Sequence, residues 1–193
     1  MIRTAALFLQ QFVRSPRTVG AVLPSSAALA QAMLAPIDFK TARTIVEFGP
    51  GTGAFTRAIT SRLAPSCRYL GIEVNPIFVR ALAAQFPCLA FVGGTAADLT
   101  EILAQARIDA VDAIVCGLPW ASLPISLQDK VFAAIDRALI PGGTFVTFGY
   151  LQSLVLPGAW ALRRRLALSF AQVRRSPLIW RNVPPAFAYV CRR

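Results

Sequence analysis

From residue 43 onward, short apolar runs alternate with stretches whose apolar residues recur every three or four positions. Runs of the first kind, at residues 44–48, 69–73, 89–92, 113–116 and 144–148, predict buried strands. The second kind, at residues 53–64, 76–86, 99–106 and 127–139, predicts helices. Strand and helix in alternation make a mostly parallel sheet covered on both faces, a doubly wound α/β fold. After the fifth strand, a helix is expected at residues 160–172 and two extended pieces at 178–180 and 186–191, with Pro184-Pro185 turning the chain between them. Those pieces add an antiparallel edge and bring the sheet to seven strands.

Ahead of this pattern, residues 4–14 place Ala5, Phe8, Leu9 and Phe12 at helical spacing, and Ser15-Pro16 ends the run. Such an amphipathic helix can lie on the domain's own core or dip into a membrane interface, and periodicity does not choose between them. The expected organisation is residues 1–40 as N-terminal helix and substrate-covering segment, and 41–193 as the sheet domain. No stretch approaches the roughly 20 apolar residues that span a bilayer. The start is read as retained, because no small-residue cleavage site follows it.

Composition narrows the partners. At 193 residues and 55% hydrophobic, the chain can bury one proper core. Its net charge of +11 is nearly all arginine and attracts polyanions, for which nucleic acid and anionic lipid both qualify. Arg163, Arg164, Arg165, Arg174, Arg175, Arg181, Arg192 and Arg193 crowd a C-terminal stretch without a single acid. Cys67, Cys88, Cys116 and Cys191 show no C-x-x-C spacing, and three of them lie in apolar runs that look buried. They read as reduced thiols of a cytosolic protein, with no metal site. The chain has no histidine, which removes His-based triads, His-ligated metals and an imidazole base.

The candidate chemistry begins at the end of the first strand, in Glu47-Phe48-Gly49-Pro50-Gly51-Thr52-Gly53. Glycines at 49, 51 and 53 let the backbone turn tightly and bring its N–H groups close to a ligand before a helix starts. Gly49, Gly51 and Ala54 also satisfy a dinucleotide pattern, so two cofactors compete. Glu47 would repel a pyrophosphate and attract the α-ammonium of a methionine moiety, which favours S-adenosylmethionine. Glu73, ending the second strand, is placed to accept two ribose hydroxyls. Asp98, after the third, can take a hydrogen bond from an adenine amino group or cap the helix that follows.

Gly117-Leu118-Pro119-Trp120 ends the fourth strand, where a sulfonium methyl would lie. Carbonyls of Gly117 and Leu118 can accept from an amine, and Trp120 can hold a cationic nitrogen by cation–π attraction or serve as an aromatic plug. An alkylamine is protonated at neutral pH, and freeing its lone pair costs about 4 kcal/mol for roughly three pK units. Desolvation beside a cationic sulfonium lowers that cost. Water, a tyrosine or a substrate phosphate would then take the proton.

Four stretches together resemble bacterial phospholipid N-methyltransferases of the phosphatidylethanolamine type: Gly20 to Ser26, Glu47 to Gly53, Gly117-Leu118-Pro119, and Trp180 to Tyr189. The resemblance implies a class I, Rossmann-like methyltransferase fold, S-adenosylmethionine as donor, and the headgroup amine of a phospholipid as acceptor. It implies docking of the N-terminal helix on the anionic inner face of the cytoplasmic membrane through Phe8, Leu9 and Phe12. It also makes Arg174, Arg175, Arg181, Trp120 and Trp180 candidates for holding the lipid. Other amino lipids, such as ornithine lipid, stay open. A fainter likeness to rRNA adenine dimethyltransferases lacks the amide in the fourth-strand motif and the C-terminal helical domain.

Overall fold

The computed structural model describes residues 25–193. Seven strands form one sheet in the order β3-β2-β1-β4-β5-β7-β6, parallel except for β7, which runs antiparallel to both its neighbours. They are β1 Thr44–Phe48, β2 Arg68–Glu73, β3 Ala90–Gly93, β4 Val111–Cys116, β5 Leu139–Tyr150, β6 Gln172–Arg175 and β7 Ala186–Arg192. The helices are α1 Ala27–Leu34, α2 Ala54–Thr60, α3 Pro76–Gln85, α4 Leu99–Gln105, α5 Ile125–Ala138 and α6 Pro157–Ser169, with single 3-10 turns at Ala96–Asp98, Trp120–Ser122 and Leu151–Val155. This is the doubly wound, seven-stranded arrangement expected from the alternation of runs.

Both faces of the sheet are packed. Val46, Phe48, Ile72, Ile114, Phe145 and Phe187 meet α4, α5 and α6 on one side. On the other, Ile45, Tyr69, Val115, Val146 and Ala188 meet α1 and α2. Every residue of β1 is therefore buried, as an apolar strand covered on both faces requires.

Helix α1 was not anticipated. Ser26 caps it by accepting from the Leu29 amide at 3.1 Å, and Leu29, Ala30, Met33 and Leu34 bury into the second core layer. The segment from residue 27 is thus built into the sheet domain. A serine just before an Ala/Leu/Met run is the signal for such a helix start. Residues 4–14, with Phe8, Leu9 and Phe12, lie outside the described residues.

The antiparallel edge is present, but one of its strands differs. Residues 172–175, of which only Gln172 was expected in a helix, pair with β7, whereas Leu178-Ile179-Trp180 contributes only an isolated bridge from Ile179 to Ala186. Gln-Val-Arg-Arg carries almost no apolar alternation because it is an outermost strand, and charge there discourages pairing with another chain. Strand β5 is longer than expected: a register shift against β4 absorbs Pro141-Gly142-Gly143 as a bulge. Only Cys116 and Cys191 are buried; Cys67 is half-buried, Cys88 is exposed, and all four are free thiols.

Candidate active site

The carboxyl ends of β1, β2, β4 and β5 open at one edge of the sheet, and the glycine loop lies among them. Gly49, Gly51 and Gly53 have φ of +64°, +57° and +79°, a region that a side chain with Cβ occupies only under strain. Gly53 is then the first cap of α2. Glu73 ties two loops together: its Oε2 accepts from the Gly51 amide at 3.0 Å and its Oε1 from the Asn75 amide at 2.9 Å. Burial pushes the Glu73 carboxyl up, while those backbone donors pull it down. The end of β4 presses on the same loop. A Cβ at Gly117 would meet the Gly49 carbonyl oxygen at 2.8 Å, so only glycine allows this approach.

Behind the loop lies Glu47. Its side chain is fully buried, and its Oε2 accepts from the Tyr69 hydroxyl at 2.6 Å and the Thr56 hydroxyl at 2.8 Å. Burial drives its carboxyl up to about 7, against the two hydroxyl bonds that favour the charged form. The structure places Glu47, expected to meet an α-ammonium, off the cavity wall, where it supports the loop from beneath. Its Oε1 has no hydrogen-bond partner among the described residues.

In front of the loop is a cavity of about 530 Å³. One end is walled by Gly49, Gly51, Glu73, Val74, Phe78 and Ala96, the other by Phe148, Tyr150, Leu156, Leu162, Phe187 and Tyr189, with Gly117 and Leu118 between them. Asp98 lies outside it. Its carboxylate accepts from the Thr95 amide at 3.4 Å in a reciprocal capping arrangement around the 3-10 turn, so capping, rather than adenine contact, describes its geometry. The wall beside Glu73 is formed instead by Val74, an aliphatic residue left 58% exposed.

Over residues 45–143, just over half its length, the chain matches the family described as Methyltransferase domain. It is also 36% identical to the ornithine lipid N-methyltransferase of Singulisphaera acidiphila, over 96% of this chain and 94% of that protein. The chain belongs to the S-adenosylmethionine-dependent methyltransferases. Solved structures share the fold: a TehB-like S-adenosylmethionine-dependent methyltransferase from Corynebacterium glutamicum has a TM-score of 0.64 at 15% identity over 100% of both chains. The O-methyltransferase from Bacillus cereus in complex with SAH has a TM-score of 0.64 at 14% identity, over 98% of this chain and 90% of that one.

The methyltransferase's own geometry fits its donor. The left-handed glycines keep the loop bare, and each oxygen of Glu73 accepts one amide and retains a lone pair for a hydroxyl of a vicinal diol. Among the described residues no cluster of His, Cys, Asp and Glu could hold a metal ion.

The structure brings only some of the methyltransferase's expected acceptor residues to the cavity. Trp120 is 4% exposed, donates from Nε1 to the Thr147 hydroxyl at 2.9 Å, and packs on Phe132 with ring centroids 5.0 Å apart. It packs as an aromatic plug in the core and also lines the cavity beside Leu118 and Pro119. Arg174 pairs across from Val190, and Arg175 from Tyr189, so the two arginines point to opposite faces of the sheet. Trp180 and Arg181 are exposed on the loop between β6 and β7, off the cavity wall. Sequence reasoning missed Val74, Phe148, Tyr150, Phe187 and Tyr189, which periodicity marks as ordinary strand or core positions.

Proposed function

We propose that this methyltransferase places methyl groups on the headgroup amine of an amino lipid, working at a membrane surface. The observation that carries the reading is the rim of the cavity. Val155, Leu156, Trp160, Trp180 and Val183 are all exposed, on the two segments beside the carboxyl end of β5. Leu156 also lines the cavity, and the Leu151 amide donates to the Pro185 carbonyl at 2.8 Å, joining the two segments. An exposed apolar patch with two tryptophans, beside Arg163, Arg164 and Arg181, suits a bilayer interface. Arginines near an anionic leaflet add about 1 kcal/mol each. Phe8, Leu9 and Phe12 are assigned to the same docking.

Within the cavity, Gly49 and Gly51 hold the methionine end of the donor, Glu73 the ribose hydroxyls, and Val74 the face of the adenine, while Gly53 shapes the loop from outside the lining, against Phe86 and Leu82. The bound donor supplies an electrophilic methyl group. The Leu118 carbonyl accepts from the Trp120 amide at 3.0 Å, so the Gly117 carbonyl is the freer acceptor for an incoming amine. Phe148, Tyr150 and Phe187 make the acceptor end apolar, which favours the neutral, nucleophilic form of the amine. Ornithine lipid leads among the acceptors, on the name of the 36% identical relative, with phosphatidylethanolamine of the same class. A buried Trp120 leaves no fourth-strand aromatic ring to stack on a nucleobase.

The test is incubation with isotope-labelled donor and anionic vesicles containing either lipid, followed by mass analysis. Incorporation into one or both is expected. Labelling of structured RNA with both lipids untouched would overturn the proposal.

A further inference from the structure

Behind the wall at the acceptor end of the cavity, exposed and not itself part of the lining, stands a cation that the donor does not need. Residues directly opposite one another in an antiparallel pair share a face, so Arg175 projects on the same face as Tyr189, and so does Phe187 two residues earlier. Phe187 in turn lies opposite Gly149, where a Cβ would come within 2.8 Å of its ring. The bare glycine lets the ring lie flat across β5. Both Phe187 and Tyr189 form the cavity wall, and their rings meet edge-on with centroids 5.1 Å apart. The Arg175 guanidinium is stacked over Phe187, 5.1 Å from the ring centroid. It is held there by an aromatic face that supplies no counter-charge.

No carboxylate neutralises it. Among the described residues the two ion pairs are Arg165 with Asp129 and Arg193 with Asp136, and neither involves Arg175 or Arg163. Arg163 follows Leu162, itself on the cavity wall. Burial raises the Tyr189 hydroxyl's pKa, while the charges of Arg163 and Arg175 lower it, so both cations reach this corner. Phe187 is two strands from the end of β4, about 10 Å away. The reach of a guanidinium and an extended headgroup together close that gap.

We propose that Arg175, braced on Phe187 and flanked by Tyr189 and Arg163, binds the anionic group of the acceptor headgroup, and so selects amines that carry a phosphate or carboxylate a few bonds away. The inference rests on the amino-lipid reading and names the chemistry by which that class is recognised. Arg174, on the opposite face of the same strand, plays no part in it.

The test uses soluble headgroups and the full chain loaded with S-adenosylhomocysteine. Nα-acetylornithine and N-acetylputrescine present the same terminal amine and differ by one carboxylate; glycerophosphoethanolamine against ethanolamine provides the phosphate arm. Calorimetry should show at least one zwitterionic probe binding about tenfold more tightly than its counterpart without the anionic group, the size of one charge-assisted contact. The arm with the larger preference identifies the anion. Arg175→Met, which keeps the stem over Phe187, should erase the preference and leave the affinity of the probe without the anionic group within about twofold. Equal affinity for probes with and without the anionic group, or a preference that survives in Arg175→Met, overturns the proposal. So does an equal loss in Arg174→Met, which would report bulk charge. If vesicle lipids go unmethylated while the preference and its loss are both seen, the amino-lipid reading fails and the anion clamp stands.

Discussion

Replacing Glu47 by glutamine should change how stability depends on pH more than it changes stability at any one pH. The Glu47 carboxyl has its ordinary value of 4.5 in the unfolded chain and about 7 in the fold, raised chiefly by burial. Between these values the folded protein holds a proton that the unfolded chain has released, so stability falls as pH rises. The contribution is fully present below about pH 4.5 and lost through pH 7. A gap of roughly two and a half pK units, at about 1.4 kcal/mol each, amounts to about 3 kcal/mol. In Glu47→Gln the amide oxygen still accepts from Tyr69 and Thr56, but the amide nitrogen takes the place of the unpartnered Oε1. That leaves a constant penalty of about 1–2 kcal/mol. The two stability curves should therefore cross, with wild type ahead at pH 5 and the variant ahead by roughly 1–2 kcal/mol at pH 8. The absence of histidine keeps this window nearly free of other titrations, and Glu73, present in both proteins, largely cancels in the difference. Urea unfolding of both proteins at pH 5, 6, 7 and 8, without donor, gives the comparison directly. Parallel curves, differing by a constant to within about 0.5 kcal/mol, would show that Glu47 is already ionised in the fold at pH 5 and would refute the reasoning.

Glu73→Gln should weaken donor binding about ten- to a hundredfold by calorimetry, because one amide nitrogen must then face a backbone N–H that the carboxylate now satisfies; unchanged affinity would remove Glu73 from the donor site. At saturating donor, kcat/KM for the amine acceptor should climb about tenfold per pH unit from near neutrality into the alkaline range, following the fraction of free amine. A plateau near pH 7 would instead reveal a base in the enzyme.

The sequence announced what is local and repetitive. Short apolar runs marked β1 and β4 although Thr44 and Glu47 lie in the first and Asp112 in the second, because the apolar residues around them fall on both faces of a covered sheet. Gly49, Gly51 and Gly53 were legible as a ligand loop because positive φ leaves few other residues possible. What stayed hidden depends on partners distant in the chain. Glu47 and Tyr69 are 22 residues apart, and Trp120 and Thr147 are 27 apart, yet each bond decides whether a side chain faces the cavity or the core. The same holds for Arg175, whose face is set by its register against Tyr189 on a strand that the Gln-Val-Arg-Arg pattern disguised. Asp98 was ambiguous for a different reason: a short acid after a strand and before a helix serves equally as ligand contact or cap, and only the distance to the Thr95 amide separates the two.

On the amino-lipid reading, the proton carried by the acceptor amine meets no base among the described residues that line the cavity. Glu47 is sealed behind the loop, and both oxygens of Glu73 are engaged by backbone amides. Burial raises the hydroxyls of Tyr150 and Tyr189, so both remain protonated near neutrality and can orient an amine but not deprotonate it. The site must therefore act on the amine's own acidity. In a zwitterionic headgroup, the neighbouring phosphate or carboxylate makes the ammonium hold its proton more tightly, since an opposite charge favours the charged form. An arginine that engages this anion weakens that internal pair, while the apolar wall and the cationic sulfonium both disfavour a second positive charge. On this view Arg175 contributes twice, by anchoring the headgroup and by loosening the proton that must leave to water before nitrogen can attack the methyl carbon. With the donor held by the glycine loop and Glu73, the reacting groups would carry one positive charge before transfer and one after it, beside the fixed guanidinium of Arg175. On that reading, a chain without histidine relies on backbone carbonyls, a dry wall and proximity for the transfer.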